Sequence, residues 1–141
     1  MKLFDDLSVR YLVIGGYAVM FHTEPRYTKD LDLWIDASPQ NARCVYNALA
    51  RFGAALAGFT ENNFTEPGIV YQLGRPPARI DVLMSVSALT FEEAWPNRVI
   101  SELDGIPVAF AGREDLIKMK RAAGRSSDLV DIERLEEGHE I

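Results

Sequence analysis

The sequence has a single cysteine, Cys44, among its 141 residues, which excludes an internal disulfide. A lone cysteine also fits a reducing compartment, where disulfides are rare. Only two histidines are present, and neither His22 nor His139 has a second ligand at the spacing of a metal motif. The sequence therefore excludes a disulfide scaffold, and we interpret neither histidine as a metal ligand.

Long apolar runs are also lacking. The longest, from Tyr11 to Phe21, is too short to span a bilayer and contains two glycines. Asp5 and Asp6 interrupt the chain before any apolar stretch that a signal peptide would need. We expect a cytoplasmic protein with no membrane partner.

Basic residues are fewer than acidic ones, with 15 Lys and Arg against 21 Asp and Glu and a formal net charge of −6. This balance argues against broad electrostatic attraction to nucleic acid. A local basic groove remains open, because four cations fall close together at Lys118, Lys120, Arg121 and Arg125. Composition alone does not decide between a small-molecule and a polynucleotide acceptor.

The apolar pattern predicts an α/β (α+β) fold, with a mixed, twisted sheet flanked by helices. The length predicts one domain over residues 1–141, onto which the helices between residues 113 and 137 pack. On the helix predicted for residues 16–23, Tyr17, Met20 and Phe21 are expected to be core residues. The predicted strands are 11–14, 29–36, 69–73, 79–84, 98–103 and 106–110. The predicted helices are 2–8, 16–23, 39–52, 113–122 and 126–137, and residues 91–95 are predicted to form a short helix or a turn.

Two aspartates one residue apart, Asp30 and Asp32, are the most informative feature of the chain. In a strand, residues i and i+2 point to the same face, so the two carboxylates would lie side by side. Such a pair repels unless a cation compensates it, and carboxylate oxygens are ligands that Mg²⁺ prefers. An isolated pair of this kind also occurs on a solvated strand face, but the apolar neighbours Leu31 and Leu33 favour a site. The pair therefore indicates a metal-dependent enzyme acting on a nucleoside triphosphate.

Two further features extend this site. Gly15 and Gly16 separate a predicted strand from a predicted helix, where glycines permit close approach of the backbone to phosphates, although such a pair is often only a structural turn. Asp81 is an acid within another apolar strand. Alone it would be a strand-end residue or an ion-pair partner of Arg79; with Asp30 and Asp32 it completes a triad for two metal ions.

The spacing of Gly15-Gly16, Asp30-Leu-Asp32-Leu and Asp81 resembles that of the polymerase-beta-like nucleotidyltransferase superfamily. The stretch from Arg26 to Trp34 is similar to the R-x-T-x-D-[I/L]-D-[I/L] form of small bacterial members. The stretch Leu116 to Ile132 resembles their closing motif, L-[I/L]-x-x-K-x-x-A-G-R-x-K-D-x-x-D. These small members include the nucleotidyltransferase-type toxins of toxin–antitoxin pairs.

The resemblance implies the polymerase-beta-like fold and transfer of a nucleoside monophosphate from an NTP such as ATP to an acceptor hydroxyl, with release of pyrophosphate. Asp30, Asp32 and Asp81 would be catalytic and would bind two Mg²⁺ or Mn²⁺ ions once substrate is present. The nucleotide would contact five positions: Gly15, Gly16, Arg26, Thr28 and Lys120. The acceptor, whether RNA such as tRNA, a protein or a small molecule, stays open, and an antitoxin protein is a possible partner.

One position departs from the family pattern, because Ser127 stands where the closing motif has a basic residue. This change and the acidic net charge leave open a second interpretation, a nucleotide- or partner-binding regulatory protein on the same scaffold without catalysis. A nucleotide hydrolase that uses the D-x-D pair is a third interpretation, and the glycine spacing disfavours it.

Overall fold

The computed structural model describes residues 2–23, 30–75, 78–103, 105–123 and 132–136. For Met20, Asp30, Arg75, Ala78, Leu103 and Ala123 only the backbone is described. The strands are β1 (Tyr11–Ile14), β2 (Asp30–Ile35), β3 (Val70–Arg75), β4 (Ala78–Leu83), β5 (Val99–Leu103) and β6 (Ile106–Phe110). The helices are α1 (Lys2–Asp6), α2 (Gly15–His22), α3 (Pro39–Phe52), α4 (Phe91–Ala94), α5 (Arg113–Ala123) and α6 (132–136), with short 3-10 helices at Glu61–Thr65 and Trp95–Asn97.

The six strands form one sheet in the order β3-β4-β2-β1-β6-β5. β2 and β4 pair in parallel, as do β1 and β6, while β1 pairs with β2 antiparallel. The remaining two pairs, β3 with β4 and β5 with β6, are antiparallel and consecutive in the chain. The mixed sheet predicted from the sequence is therefore confirmed, and β2 lies in its interior between β1 and β4.

Local sequence signals determine where α3 begins and ends. The Ser38 hydroxyl accepts a hydrogen bond from the backbone N–H of Asn41 at 3.3 Å, and Pro39 occupies the first turn. At the other end Gly53 has φ +91°, a left-handed conformation that suits glycine and ends the helix. The predicted bounds of this helix are confirmed.

Asn41 joins α3 to the ends of β1 and β2. Its side-chain amide donates to the carbonyl of Arg10 at 2.9 Å and to that of Asp36 at 2.7 Å. Its Oδ1 accepts from the backbone N–H of Arg10 at 2.7 Å. The side chain is buried. Because three backbone groups depend on it, Asn41 fixes the end of the sheet where β1 begins and β2 ends, which is opposite the candidate site.

The two faces of the sheet are covered differently. On one face α1 and α3 pack over β2, β3 and β4, around an apolar cavity of about 230 Å³ lined in part by Leu31, Leu33 and Ile80. On the other face Trp34 is 2% exposed and contacts Phe91 edge-to-face, with the ring centroids 5.4 Å apart. Apolar residues of β2 thus fill both layers of the core.

The prediction that Tyr17 and Phe21 belong to the core is wrong, since each is 38% exposed. The same prediction for Met20 concerns a side chain outside the described part of the structure. Phe21 stacks on Phe110 at 4.2 Å between ring centroids and also contacts the His22 ring edge-to-face at 5.0 Å. In contrast, α6 contributes buried Ile132 and Leu135. Within the described ranges, no helix has both the length and the apolar character that crossing a bilayer requires.

Candidate functional site

The turn from β1 into α2 forms one wall of the site. β1 ends at Ile14 and α2 begins at Gly15, which has φ +69°. Ile14 occupies the N-cap position and its apolar side chain caps none of the first N–H groups, and the first turn contains no acidic residue. These N–H groups, including that of Gly16, carry the positive end of the helix dipole, which favours an anion.

The carboxylate of Asp32 lies directly against this turn. In the antiparallel pairing of β1 with β2, Asp32 is opposite Ile14, and Ile14 directly precedes Gly15. A β-carbon added to Gly15 would be 2.2 Å from Asp32 Oδ2, much closer than such atoms approach, and 3.1 Å from its Cγ, which is a tight contact. Position 15 therefore requires glycine for two reasons, the positive φ and the contact with the acid.

Asp32 is also level with Asp81. In the parallel pairing of β2 with β4, Asp32 is opposite Asp81 and Asp30 is opposite Arg79. Neighbouring strands lie about 4.8 Å apart, and residues in register point to the same face. The sheet thus brings all three predicted acidic positions to one face, although for Asp30 this rests on the backbone alone.

Arg79 pairs with Asp81 on this face. Its Nε is 3.2 Å from Asp81 Oδ1, and its Nη2 donates to Oδ2 at 3.4 Å. The side chains are 33% and 14% exposed for Arg79 and Asp81 respectively. Asp81 Oδ1 is buried and accepts no hydrogen bond of acceptable geometry from the described residues. The alternative role considered for Asp81, an ion-pair partner of Arg79, is thus present within the candidate site.

The donor chemistry suits a hard divalent cation. Asp32 and Asp81 supply carboxylate oxygens, and the buried Oδ1 of Asp81 accepts no hydrogen bond from the described residues. Among the described side chains no three His, Cys, Asp or Glu are grouped tightly enough to hold a metal by themselves. The third acid of the predicted triad, Asp30, is described only in its backbone. The residues present therefore fit Mg²⁺ or Mn²⁺ completed by substrate oxygens and water.

Of the remaining predicted nucleotide contacts, Arg26, Thr28 and Lys120, the structure describes one. Lys120 lies half-buried on α5, a helix that packs against α2. Arg26 and Thr28 fall outside the described residues, as does Ser127 in the closing motif. The structure therefore brings Gly15, Gly16, Asp32 and Asp81 to one region of the sheet, and the roles of the remaining residues stay predictions.

His22 is a link between helices that sequence analysis missed. Its Nε2–H donates to the carbonyl of Ala111 at 2.9 Å, and the Arg113 side chain donates to the carbonyl of His22 at 3.0 Å. Burial lowers the pKa of His22; the Ala111 hydrogen bond raises it, and the positive charge of Arg113 lowers it further. A lone histidine on an apolar helix gives no sequence signal of this bond, which ties α2 to the start of α5.

Comparisons with solved structures show the same fold in nucleotidyltransferases. The lincosamide antibiotic adenylyltransferase LnuA, in its lincomycin-bound form, superposes with a TM-score of 0.62 at 17% identity over 96% of this chain and 90% of its own. An antigenic nucleotidyltransferase-like protein from Paracoccidioides brasiliensis gives a TM-score of 0.60 at 18% identity over 95% and 70% of the two chains. At such identities the likeness shows the fold alone, and it confirms the fold that the motifs predicted.

Sequence comparisons extend this result from fold to family. No curated protein sequence matches the chain. The family described as "Nucleotidyltransferase of unknown function (DUF6036)" matches residues 2–137, which include every position of the candidate site. The resemblance drawn from the glycine pair and the aspartates is confirmed, and the chain belongs to this family of nucleotidyltransferases.

Proposed function

We propose that the chain is a metal-dependent nucleotidyltransferase, which moves a nucleoside monophosphate from an NTP to an acceptor hydroxyl and releases pyrophosphate. The observation that carries the proposal is the position of Asp32, against Gly15 on one side and level with Asp81 on the other. This arrangement puts carboxylates for a cation next to backbone N–H groups suited to phosphates.

Each residue has a role that its position supports. Asp30, Asp32 and Asp81 would hold two divalent cations, whose contribution when bound is to neutralise charge on the transferring phosphate. The N–H groups of Gly15 and Gly16 would bind phosphate oxygens. Asp81 would accept the proton of the attacking hydroxyl, as the new bond to the α-phosphorus forms and the bond to pyrophosphate breaks.

Three further contacts belong to the proposal as predictions. Arg26 and Lys120 would bind phosphate oxygens as cations, and Thr28 would orient the loop before β2. We also propose that residues 1–141 form one domain, with 113–137 packed on it. Buried Leu135 and the bonds around His22 support this packing.

The test is transfer of label from each α-³²P nucleoside triphosphate with Mg²⁺, offered total cell RNA, total cell protein or small hydroxyl compounds. Lincosamides are included among the small compounds, because LnuA, which has the same fold, is a lincosamide antibiotic adenylyltransferase. We expect a labelled acceptor and released pyrophosphate in one of these reactions. The same reactions identify the acceptor class and the preferred base.

Matched variants test whether nucleotidyl transfer depends on the acids of the candidate site. D32N and D81N should each lower transfer by at least about 100-fold, because a cation ligand contributes several kcal/mol to the transition state. D6N makes the same chemical change on the exposed surface of α1 and should leave transfer unchanged. Transfer by D32N and D81N at the parental rate would show that these acids are not the catalytic residues.

A binding protein without catalysis is the second candidate, and one observation favours it: Arg79 already compensates Asp81. Titration calorimetry with NTP, with and without Mg²⁺, separates the two functions when combined with the pyrophosphate assay. Binding without pyrophosphate release under every acceptor would support the regulatory protein. The toxin–antitoxin context and the cytoplasmic location stay predictions, to be tested by copurification with a neighbouring antitoxin and by cell fractionation.

A further inference from the structure

Arg79 lies on the acidic face of the sheet, where the proposed function needs a cation. It is opposite Asp30 in the strand pairing and two residues before Asp81, so all three positions share one face. Its guanidinium contacts Asp81 through two atoms, at 3.2 and 3.4 Å. The positive charge thereby compensates carboxylates that would otherwise repel one another.

This ion pair occupies the atoms that a metal ion would use. Nε of Arg79 is close to Oδ1 of Asp81, and Nη2 is close to Oδ2. A divalent cation bound by Asp81 would coordinate these same oxygens. The guanidinium and the cation therefore compete for one carboxylate.

The geometry of the pair is poor for a permanent structural bond. At Oδ1 the 3.2 Å contact lacks hydrogen-bond geometry, so this buried oxygen accepts no hydrogen bond from the described residues. A partly buried ion pair stabilises a fold only when its geometry is good and its hydrogen-bonding groups are satisfied. Arg10 offers a contrast, since it pairs with Asp36 at 3.1 Å while stacking on Trp95 at 4.6 Å.

We propose that Arg79 is a triphosphate-binding residue, which the metal-free protein holds against Asp81 and releases when a divalent cation binds there. This inference rests on the proposed function. A cation bound at Asp81 would displace the guanidinium from these oxygens, and about a third of the Arg79 side chain is already exposed on the side from which a substrate would approach. Its planar fork matches two phosphate oxygens, and the substrate would lie over the same face.

The first experiment measures Mn²⁺ binding by electron paramagnetic resonance without nucleotide. R79Q should bind Mn²⁺ about fivefold more tightly than the parent, because the metal ion no longer has to displace a guanidinium from the Asp81 oxygens. R43Q is the matched control: Arg43 is exposed on α3, on the opposite face of the sheet, and pairs with Glu61. Equal affinity in the parent, R79Q and R43Q would overturn the competition.

The second experiment measures binding of inorganic tripolyphosphate with saturating Mn²⁺ by calorimetry, which needs no knowledge of the base. R79Q should bind it about tenfold more weakly, since a charge-assisted bidentate contact is lost. R79K, which retains the charge but not the fork, should fall between R79Q and the parent. Tripolyphosphate affinity that is unchanged in R79Q would overturn the triphosphate role.

The two proposals fail in different ways. If neither the parent nor R79Q binds Mn²⁺, the metal site of the proposed function is wrong. If both bind it equally and D81N abolishes that binding, the metal site stands and the role of Arg79 is wrong. Circular dichroism of each variant establishes that these differences arise in folded protein.

Discussion

The carboxylate of Asp32 occupies the space into which a side chain at Gly15 would project. A β-carbon at position 15 would lie 2.2 Å from Oδ2, and the backbone there has φ +69°. The glycine and the acid are therefore one structural unit, although 17 positions separate them in the printed sequence.

G15A should disable the enzyme. The new methyl group must displace Asp32, and a misplacement of about 1 Å at a reacting centre costs about 100-fold in rate. G53A is the control, because Gly53 also has a positive φ, +91°, but a β-carbon there meets nothing within 4 Å. Both variants should lose about 1–2 kcal/mol of unfolding free energy from backbone strain. Denaturant titration and the pyrophosphate assay check this, and equal activity in G15A and G53A would contradict it.

Removing metal should stop transfer without unfolding the protein, because Arg79 compensates Asp81 when no cation is present. Chelation with EDTA is therefore expected to abolish pyrophosphate release and leave the circular dichroism spectrum unchanged. Adding Mn²⁺ without nucleotide should stabilise R79Q by about 1 kcal/mol more than the parent, the linkage expected for fivefold tighter binding. A smaller gain in R79Q than in the parent would count against the competition.

N41A should lower the free energy of unfolding by about 2–3 kcal/mol, because it leaves buried backbone groups of Arg10 and Asp36 without their partner. N47A is the matched control, since Asn47 is exposed on the same helix and its loss should cost less than about 0.5 kcal/mol. Urea titration measures both. A difference between the variants of less than the experimental error would show that the hydrogen bonds of Asn41 do not determine stability.

Stability should depend on pH through His22. Its pKa in the folded chain is lowered by burial, so below about pH 6.5 the unfolded chain binds more protons than the folded one. The free energy of unfolding that comes from keeping His22 neutral is complete above about pH 6.5. It is lost as the pH falls through that value toward the lower pKa of the folded chain. H22Q retains a donor for Ala111 but does not titrate, so its unfolding free energy should fall less between pH 7 and pH 5. Parallel profiles would contradict this assignment.

Local signals in the sequence predicted much of this structure. Ser38 and Gly53 mark the ends of α3 through capping, which depends on near neighbours only. The shared face of Asp30 and Asp32 follows from the two-residue period of a strand. These features were predictable because each is decided within a few residues.

Features decided by distant contacts were not predictable from local patterns. The proximity of Asp32 and Asp81 was expected through the family resemblance alone, because it depends on β4 lying beside β2, although α3 and β3 come between them in the chain. On α2, apolar residues surround the helix, so no periodicity indicated that Tyr17 and Phe21 would be exposed. The burial of Asn41 likewise depends on which backbone groups the folded sheet brings to it.

The interior position of β2 has a consequence for how such enzymes diverge. Strands on both sides hydrogen-bond to it, so the spacing of its acids is set by backbone ladders and not by loops. Substitutions in the connecting segments can then change which hydroxyl compound is recognised while the reaction chemistry is retained. A library randomised outside the six strands should therefore yield altered acceptor preference far more often than one randomised within them.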